Sequence, residues 1–264
     1  MFAGGDGRTL DLDFTQGVLD SRITFSRAST ATFINSSGLV QYADHNLIQQ
    51  SESLATSPWA VQNGATVSNV ATPNPEGGAT SSQITSASNN NAVLQGLTIN
   101  GGLPHTVRFW IRAGTSSQAQ FGYFASSSFQ TGTPTIVSGS GAVSGTAFMT
   151  VTGLTSTWTQ IQIVLSAPAA SGSFLIYPDT ASPTPGLTLF VWGVQMNAGT
   201  TANPYYRTTT SVYQAPRFDH DPSTLAPRGL LVERSAINLM NWSESFDTSG
   251  GVTNWNWSAL NVTR

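Results

Sequence analysis

Arg108, Trp110 and Arg112 alternate with Val107, Phe109 and Ile111. Successive side chains of an extended chain point to opposite faces, so burying the apolar three leaves an indole between two guanidinium groups. That trio suits a sugar, because apolar sugar faces stack on aromatic rings and Arg donates to hydroxyls or carboxylates. Gln160 and Gln162, with Trp158, form a second polar face opposite Ile161 and Ile163. Tyr123 and Tyr177 complete the candidate carbohydrate-binding residues. Phe121 and Tyr123 alternate with Phe124, so at least one aromatic there should be exposed, and Tyr177 precedes Pro178-Asp179 at a strand end. A plainer reading stays open: Trp110 packs between sheets or under a loop, and the Arg side chains keep that face soluble. Trp192, within Leu189-Phe190-Val191-Trp192-Gly193-Val194, reads as core.

Catalysis has little to work with. A glycosidase needs two carboxylates about 5–10 Å apart. Between residues 53 and 204 the acids are Glu76, in a Pro/Gly turn, and Asp179, far along the chain. There is no Gly-x-Ser-x-Gly elbow, and His105 starts a strand without a matched Ser and Asp. Asp219-His220-Asp221 offers metal-type ligands, but adjacent residues do not easily converge on one ion, and Asp221-Pro222 is an ordinary turn starter. The chain reads as a binding protein, with no catalytic residue, metal ligand or cofactor assigned.

Composition narrows the field further. Of 264 residues only 9 % are charged, against roughly a quarter in an average domain. All ten cations are Arg; Lys and Cys are absent. Without Lys there is no Walker-type phosphate loop or Schiff base, and without Cys no disulfide, thiolate nucleophile or Cys-zinc site. A net charge of −3 with no basic run gives no footprint for nucleic acid. No apolar run approaches the ~18 residues of a membrane span, and the first residues lack the apolar stretch of a secretory signal. Synthesis in a cytoplasm is the expectation.

Charge divides the chain into blocks. Residues 1–30 hold Asp6, Arg8, Asp11, Asp13, Asp20, Arg22 and Arg27, and residues 215–234 hold Arg217, Asp219, Asp221, Arg228, Glu233 and Arg234. The long block between them, 53–204, has Glu76, Arg108, Arg112 and Asp179 alone. Inside that block the hydrophobic period is two, which predicts strands near 65–71, 81–86, 92–99, 104–113, 119–126, 147–153, 158–166, 172–178 and 187–197. Turn residues fall between them, as in Pro75-Glu76-Gly77-Gly78 and Asn100-Gly101-Gly102. The fold class is therefore all-β: an antiparallel sandwich of the jelly-roll type, since the block exceeds the ~100 residues of an immunoglobulin-like sandwich.

A repeat is superimposed on this pattern. Asn46-Leu47, then Ser51-Glu52-Ser53-Leu54, Thr56 and Trp59, matches Asn238-Leu239, then Ser243-Glu244-Ser245-Phe246, Thr248 and Trp255. Position 238 thus opens a second module of the kind opened at 46. The residues from 238 to 264 are too few to close a sandwich, so the expectation is a longer natural protein, or strands added to a neighbour.

Arg22-Ile23-Thr24-Phe25-Ser26-Arg27-Ala28-Ser29-Thr30-Ala31-Thr32-Phe33 with Ser37-Gly38-Leu39-Val40 resembles an opening segment of tailed-bacteriophage structural proteins. Pro216-Arg217-Phe218-Asp219-His220-Asp221-Pro222 with Gly229-Leu230-Leu231-Val232-Glu233 resembles the linker joining such a segment to its jelly-roll module. Ala113-Gly114-Thr115 and Val191-Trp192-Gly193-Val194-Gln195 sit where these modules place similar strand ends. In the family the two charged segments come together ahead of one module; here the first precedes the module and the second follows it. The resemblance implies a head-spike or tail-fibre protein of the virion with lectin-like modules.

On that basis residues 1–45 are an extended arm that attaches to other virion proteins of capsid or tail and orders on assembly. Residues 46–205 are the jelly roll, 206–237 a charged linker, and 238–264 the beginning of a second, incomplete module. The resemblance further implies a homo-oligomer, a trimer, that binds host-surface glycans, with neither nucleic acid nor membrane as partner. It leaves room for a structural calcium ion, although no pattern marks its ligands. The alternatives are a cement or connector protein without a sugar ligand, and the binding module of a glycan-degrading enzyme.

Overall fold

Alternation of apolar residues with Ser, Thr and Gln lets a strand bury one face and wet the other, and the chain uses it throughout. The computed structural model describes residues 12–27, 29–87, 91–180 and 184–233. Ahead of the sandwich lie a 3-10 turn at Phe14–Gln16 and strands β1 (Thr32–Ile34), β2 (Val40–Tyr42) and β3 (His45–Asn46). The sandwich begins with β4 (Ala60–Gln62), β5 (Thr66–Val70), β6 (Ser81–Thr85), β7 (Ala92–Thr98), β8 (His105–Ala113) and β9 (Ala119–Ala125). It continues through β10 (Ser128–Phe129), β11 (Gly132–Ser138), β12 (Ala142–Ser144), β13 (Met149–Thr152), β14 (Thr159–Leu165), β15 (Ser171–Tyr177) and β16 (Thr188–Ala198). The short strands β17 (Tyr213–Gln214), β18 (Phe218–His220) and β19 (Pro227–Leu230) follow.

One sheet runs β12-β13-β9-β15-β7-β4, with β10 beside β9; the other runs β11-β14-β8-β16-β6-β5. Pairing is antiparallel and mirrored, β6 with β16, β7 with β15, β8 with β14 and β9 with β13. A chain doubled back on itself and then wrapped into two layers has this order, so the sandwich is a jelly roll. The strands expected from periodicity match within a residue or two. Strand β11 lies outside the runs expected from periodicity, and it carries Pro134 among Thr and Gly neighbours. It occupies a sheet edge, where a missing N–H is tolerated.

Between the layers Val107, Phe109 and Ile111 of β8 and Ile161 and Ile163 of β14 are fully buried against Phe121, Phe174 and Ile176. The Phe109 ring meets Phe121 and Phe174 edge-on, at 5.2 and 5.5 Å between centroids. Tyr123 belongs to this core: it is 0 % exposed and donates to Ala169 O at 3.2 Å. The exposed aromatic of its strand is Phe124, one residue later and on the opposite face.

The repeated motif acts as a clasp. Asn46 is fully buried; its Oδ1 accepts from Ile48 N (3.0 Å) and Met196 N (3.2 Å), and its Nδ2 donates to Tyr206 O (2.8 Å). Ser51 Oγ accepts from Thr208 N (2.9 Å), while Ser51 O accepts from Val194 N (2.9 Å). Gln49 and Gln95 bond reciprocally, tying the same segment to β7 in the other sheet. Leu54 and Trp59 anchor it in the core, the indole donating to Gln49 O and Gln50 O at 3.1 Å. The second copy of the motif lies outside the described residues.

Residues 12–45, expected as an extended arm, carry the hairpin β1–β2, which packs on β18. Ile34 N donates to Asp219 Oδ1 (2.8 Å), and Arg217 Nη1 donates to Thr32 O (3.1 Å). Gly38, at φ +77, lies against Leu225, where a side chain would collide. The two charged segments therefore meet in space with the jelly roll inserted between them. Asp221 caps its turn by accepting from Ser223 N and Thr224 N and pairs with Arg228 at 2.6 Å. These bonds, that from Thr224 foremost, hold its carboxyl down to about 2. Among the described residues no three His, Asp or Glu converge as metal ligands would. The described residues from 12 to 231 pack as one unit; Val232 and Glu233 belong to a second, whose remaining residues lie outside the described ones.

Truncating Asn46→Ala strands two buried N–H groups and a carbonyl, and should cost roughly 3 kcal/mol at 1–3 kcal/mol per orphaned group. A urea midpoint lowered at unchanged slope is the expected result; a shift under about 0.5 kcal/mol would show the clasp to be dispensable. His45 gives a pH signature. Its Nε2 accepts from Ala198 N (2.8 Å) while Nδ1 faces Ala43 O (2.7 Å), so the fold holds the neutral ring. Burial, reinforced by Arg27 and His105 and opposed by the Ala43 bond and Asp44, keeps its pKa below 6.5; burial lowers that of His105 too. Below about 6.5 the unfolded state then binds protons that the folded state does not. Urea midpoints should be level above pH 7 and fall as pH drops through 6.5; equal midpoints at pH 7.5 and 5.5 would contradict this.

Candidate functional site

Strand β8 is flanked by β14 and β16, and registers across the three bring their outward residues into rows. Gln162, Arg108 and Gln195 form one row, and Gln160, Trp110 and Trp192 the next. Phe190 lies beside Arg112, and Gln83 of β6 beside Phe190. Five of the residues expected to bind sugar, Arg108, Trp110, Arg112, Gln160 and Gln162, thus share one half-buried face.

The most ordered feature of this face is Arg112. Its guanidinium carbon lies 4.6 Å from the Phe190 ring centroid and 5.5 Å from that of Trp158. Cation–π attraction of about 0.5–1 kcal/mol per ring holds the planar group between them. Trp158 is fixed in turn by donating from Nε1 to Pro73 O at 2.9 Å, which brings the 71–80 loop to the rim of the face. Arg112 Nε is enclosed without a partner, and neither Nη has a hydrogen bond in the described protein, so those two stay open to solvent.

A bulge decides what lies beside Trp110. In strict alternation, an outward Trp192 would send Val194 and Met196 outward as well. Gly193 instead adopts φ +65, and the register with β8 shifts between Trp192 and Gln195. Val194 and Met196 consequently enter the core while Trp192 stays outside. A Cβ at Gly193 would make ordinary contacts, 3.4 Å from Trp110 and 3.6 Å from Tyr205, so it is the left-handed backbone that calls for glycine. Trp192 is buried as expected, but under Tyr205, at 4.9 Å between ring centroids, rather than between the sheets.

Tyr205 is locked by Ser51 Oγ (2.8 Å) and by donating to Glu52 Oε1 (3.1 Å); burial above all pushes its pKa far upward, so it stays neutral. Glu52 also pairs with Arg207 at 3.2 Å. Burial pulls the Arg108 pKa down, opposed by the charge of Glu76 on the neighbouring loop. Phe190 and Tyr205 were missing from the sequence-derived set. Phe190 was open to inference, since it alternates with the core residues Leu189 and Val191. Tyr205 comes from a non-strand segment and carries no such signal.

Tyr123 and Tyr177 do not join this face. Both stand on the other sheet: Tyr123 points into the core, and Tyr177, 4 % exposed, is packed under Phe148 at 5.0 Å. The ring row continues from Phe148 to Phe129 and Phe124 at 4.5 and 5.1 Å. Gly122 permits it, because a Cβ there would come within 2.6 Å of the Phe129 ring. Tyr177 was expected at a rim, but its neighbours along the chain gave no sign of Phe148, which reaches it from β13's leading end. Asp179 is buried and accepts from Ser116 Oγ at 3.3 Å, whereas Glu76 is exposed.

No protein-family model matches the sequence, and no curated protein matches it. Among solved structures, the chain is similar to the enzymatically active domain of tailspike protein 4 of bacteriophage CBA120 (16 % identity, TM-score 0.39), with 58 % of this chain aligned to 21 % of that one. It is similar to the CBM22-1 xylan-binding domain of Paenibacillus barcinonensis Xyn10C (16 % identity, TM-score 0.40, 61 % of this chain and 97 % of that). The third is TmCBM61, solved with β-1,4-galactotriose (12 % identity, TM-score 0.39, 59 % of this chain and all of that one). Similarity at this level does not extend to a ligand or a partner.

Proposed function

We propose that the jelly roll is a glycan-binding module, and that the ligand lies on the outer face of β14, β8 and β16. The observation that carries this reading is Arg112, clamped between Trp158 and Phe190 beside Trp110 with its outer donors unpartnered. A sugar ring has an apolar face for the indole and hydroxyls for the guanidinium and for Gln160 and Gln162. The role in this reading is binding: of the two carboxylates near the aromatic residues, Glu52 is engaged by Tyr205 and Arg207, and Glu76 lies exposed on the rim loop. Weak affinity at each face would be multiplied by display in several copies.

The setting we propose is a bacteriophage virion, as a spike or fibre subunit in homo-oligomeric form, and it rests on the charged motifs of residues 22–40 and 216–233. The body formed by residues 12–45 and 217–230 is the attachment end in this reading, with Leu39, Val40 and Leu225 exposed on it. A connector protein with the same fold would have the Trp110 face covered by a neighbour.

A glycan array probed with the wild-type protein should give positive sugars, and Trp110→Ala should weaken them by at least tenfold, about 1.4 kcal/mol, without shifting the melting temperature. Positive sugars unaffected by Trp110→Ala would move the site elsewhere, and an empty array would count against glycan binding altogether. For the setting, immuno-electron microscopy of intact phage particles should place the protein on them with the jelly roll outward. Its absence from particles would remove the virion assignment and leave a free binding module.

A further inference from the structure

Arg22, Arg207 and Arg228 each have a carboxylate in direct contact: Asp20 (2.6 Å), Glu52 (3.2 Å) and Asp221 (2.6 Å) respectively. Arg108 and Arg112 have none, and no hydrogen bond within the described protein satisfies either guanidinium. Both are half-buried, and Arg112 Nε is sealed from water without an acceptor. Partial burial of a cation without a partner costs free energy, and a strand meant only to stay soluble would carry Ser, Thr or Gln here, as its neighbours do. The acidic group that acts on Arg108 is Glu76, which is exposed and makes no direct contact with it.

We infer that the ligand of this face is an acidic glycan whose sugar-ring carboxylate is taken by the Arg112 fork, with Arg108 as the second cation; this rests on the glycan-binding reading above. Arg108 and Arg112 are two residues apart on one strand, so their side chains leave it about 6.7 Å apart, with Trp110 between on the same face. That spacing seats one sugar ring on the indole with its carboxylate on one guanidinium and a neighbouring group on the other. The Arg112 plane is fixed by Trp158 and Phe190 before any ligand arrives, so little side-chain entropy remains to be lost on binding. A planar, two-pronged donor matches a carboxylate better than a lone hydroxyl, and Gln160 and Gln162 supply the hydroxyl contacts.

The test is calorimetric titration of the whole chain with oligosaccharides of galacturonate, glucuronate and mannuronate, each beside its carboxyl-reduced neutral counterpart. At least one uronate should bind tenfold or more tighter than its reduced partner. Arg112→Gln should erase that ratio, lowering the affinity for the uronate at least tenfold more than that for its reduced counterpart in a protein that still unfolds cooperatively, and Arg112→Lys should restore only part of it. Equal binding of the acidic and reduced forms would overturn the inference and leave glycan binding standing. Binding of dextran sulfate as tight as that of the best uronate at 0.3 M salt would overturn it too, by showing general attraction of polyanions. Absence of binding to every sugar, acidic or neutral, together with an empty array, would overturn both readings.

Discussion

The carboxamide of Asn46 is the point through which the two ends of the roll are joined. With no solvent available to it, each of its polar atoms must find a protein partner, and besides the nearby Ile48 N these are Met196 N of β16 and Tyr206 O. The backbone of the same segment adds Leu47 N to Met196 O and Val194 N to Ser51 O. Those bonds hold the start of the module against its last strand. The mirrored pairing accommodates this: β6 lies beside β16, and β3, ahead of the roll, packs on β16 and pairs with β17 beyond it.

That closure explains the joining of the charged segments. Ile34 and Asp219 are 185 residues apart in sequence, yet bonded, because the roll between them returns the chain to its starting point. An arm of low hydrophobicity need not fold alone when a second segment of the same chain is delivered beside it. The jelly roll behaves as an insertion into a small charged body whose two segments meet in space, not in sequence.

The candidate face is built on the same two strands. β16 serves the clasp at Val194 and Met196 and the face at Phe190 and Trp192, and the bulge at Gly193 separates the two duties by reversing which side of the strand faces inward. Tyr205 links them, packing on Trp192 with its ring while its hydroxyl meets Ser51 and Glu52 of the repeated motif. The aromatics of the candidate face and the module's closure therefore share a support.

Much of this was fixed by local pattern. Period-two alternation is a backbone property, so Val107, Phe109 and Ile111 had to face inward together and Arg108, Trp110 and Arg112 outward. The strands of the roll and five of the face residues were legible for that reason. Which rings stay uncovered is a matter of what arrives from elsewhere in the chain. Tyr123 and Phe124 differ by one residue, and the sheet's inner side took the tyrosine. Tyr177 stands at a strand end and is covered by Phe148. Trp192 was correctly read as buried, but it stands on the outer face beneath Tyr205, and the left-handed glycine after it turns Val194 and Met196 into the core. The sequence by itself determined the alternation of faces along each regular strand. The tertiary structure alone decided that Arg112 would lie between Trp158 and Phe190, since that depends on register between strands brought together by the wrapping of the roll.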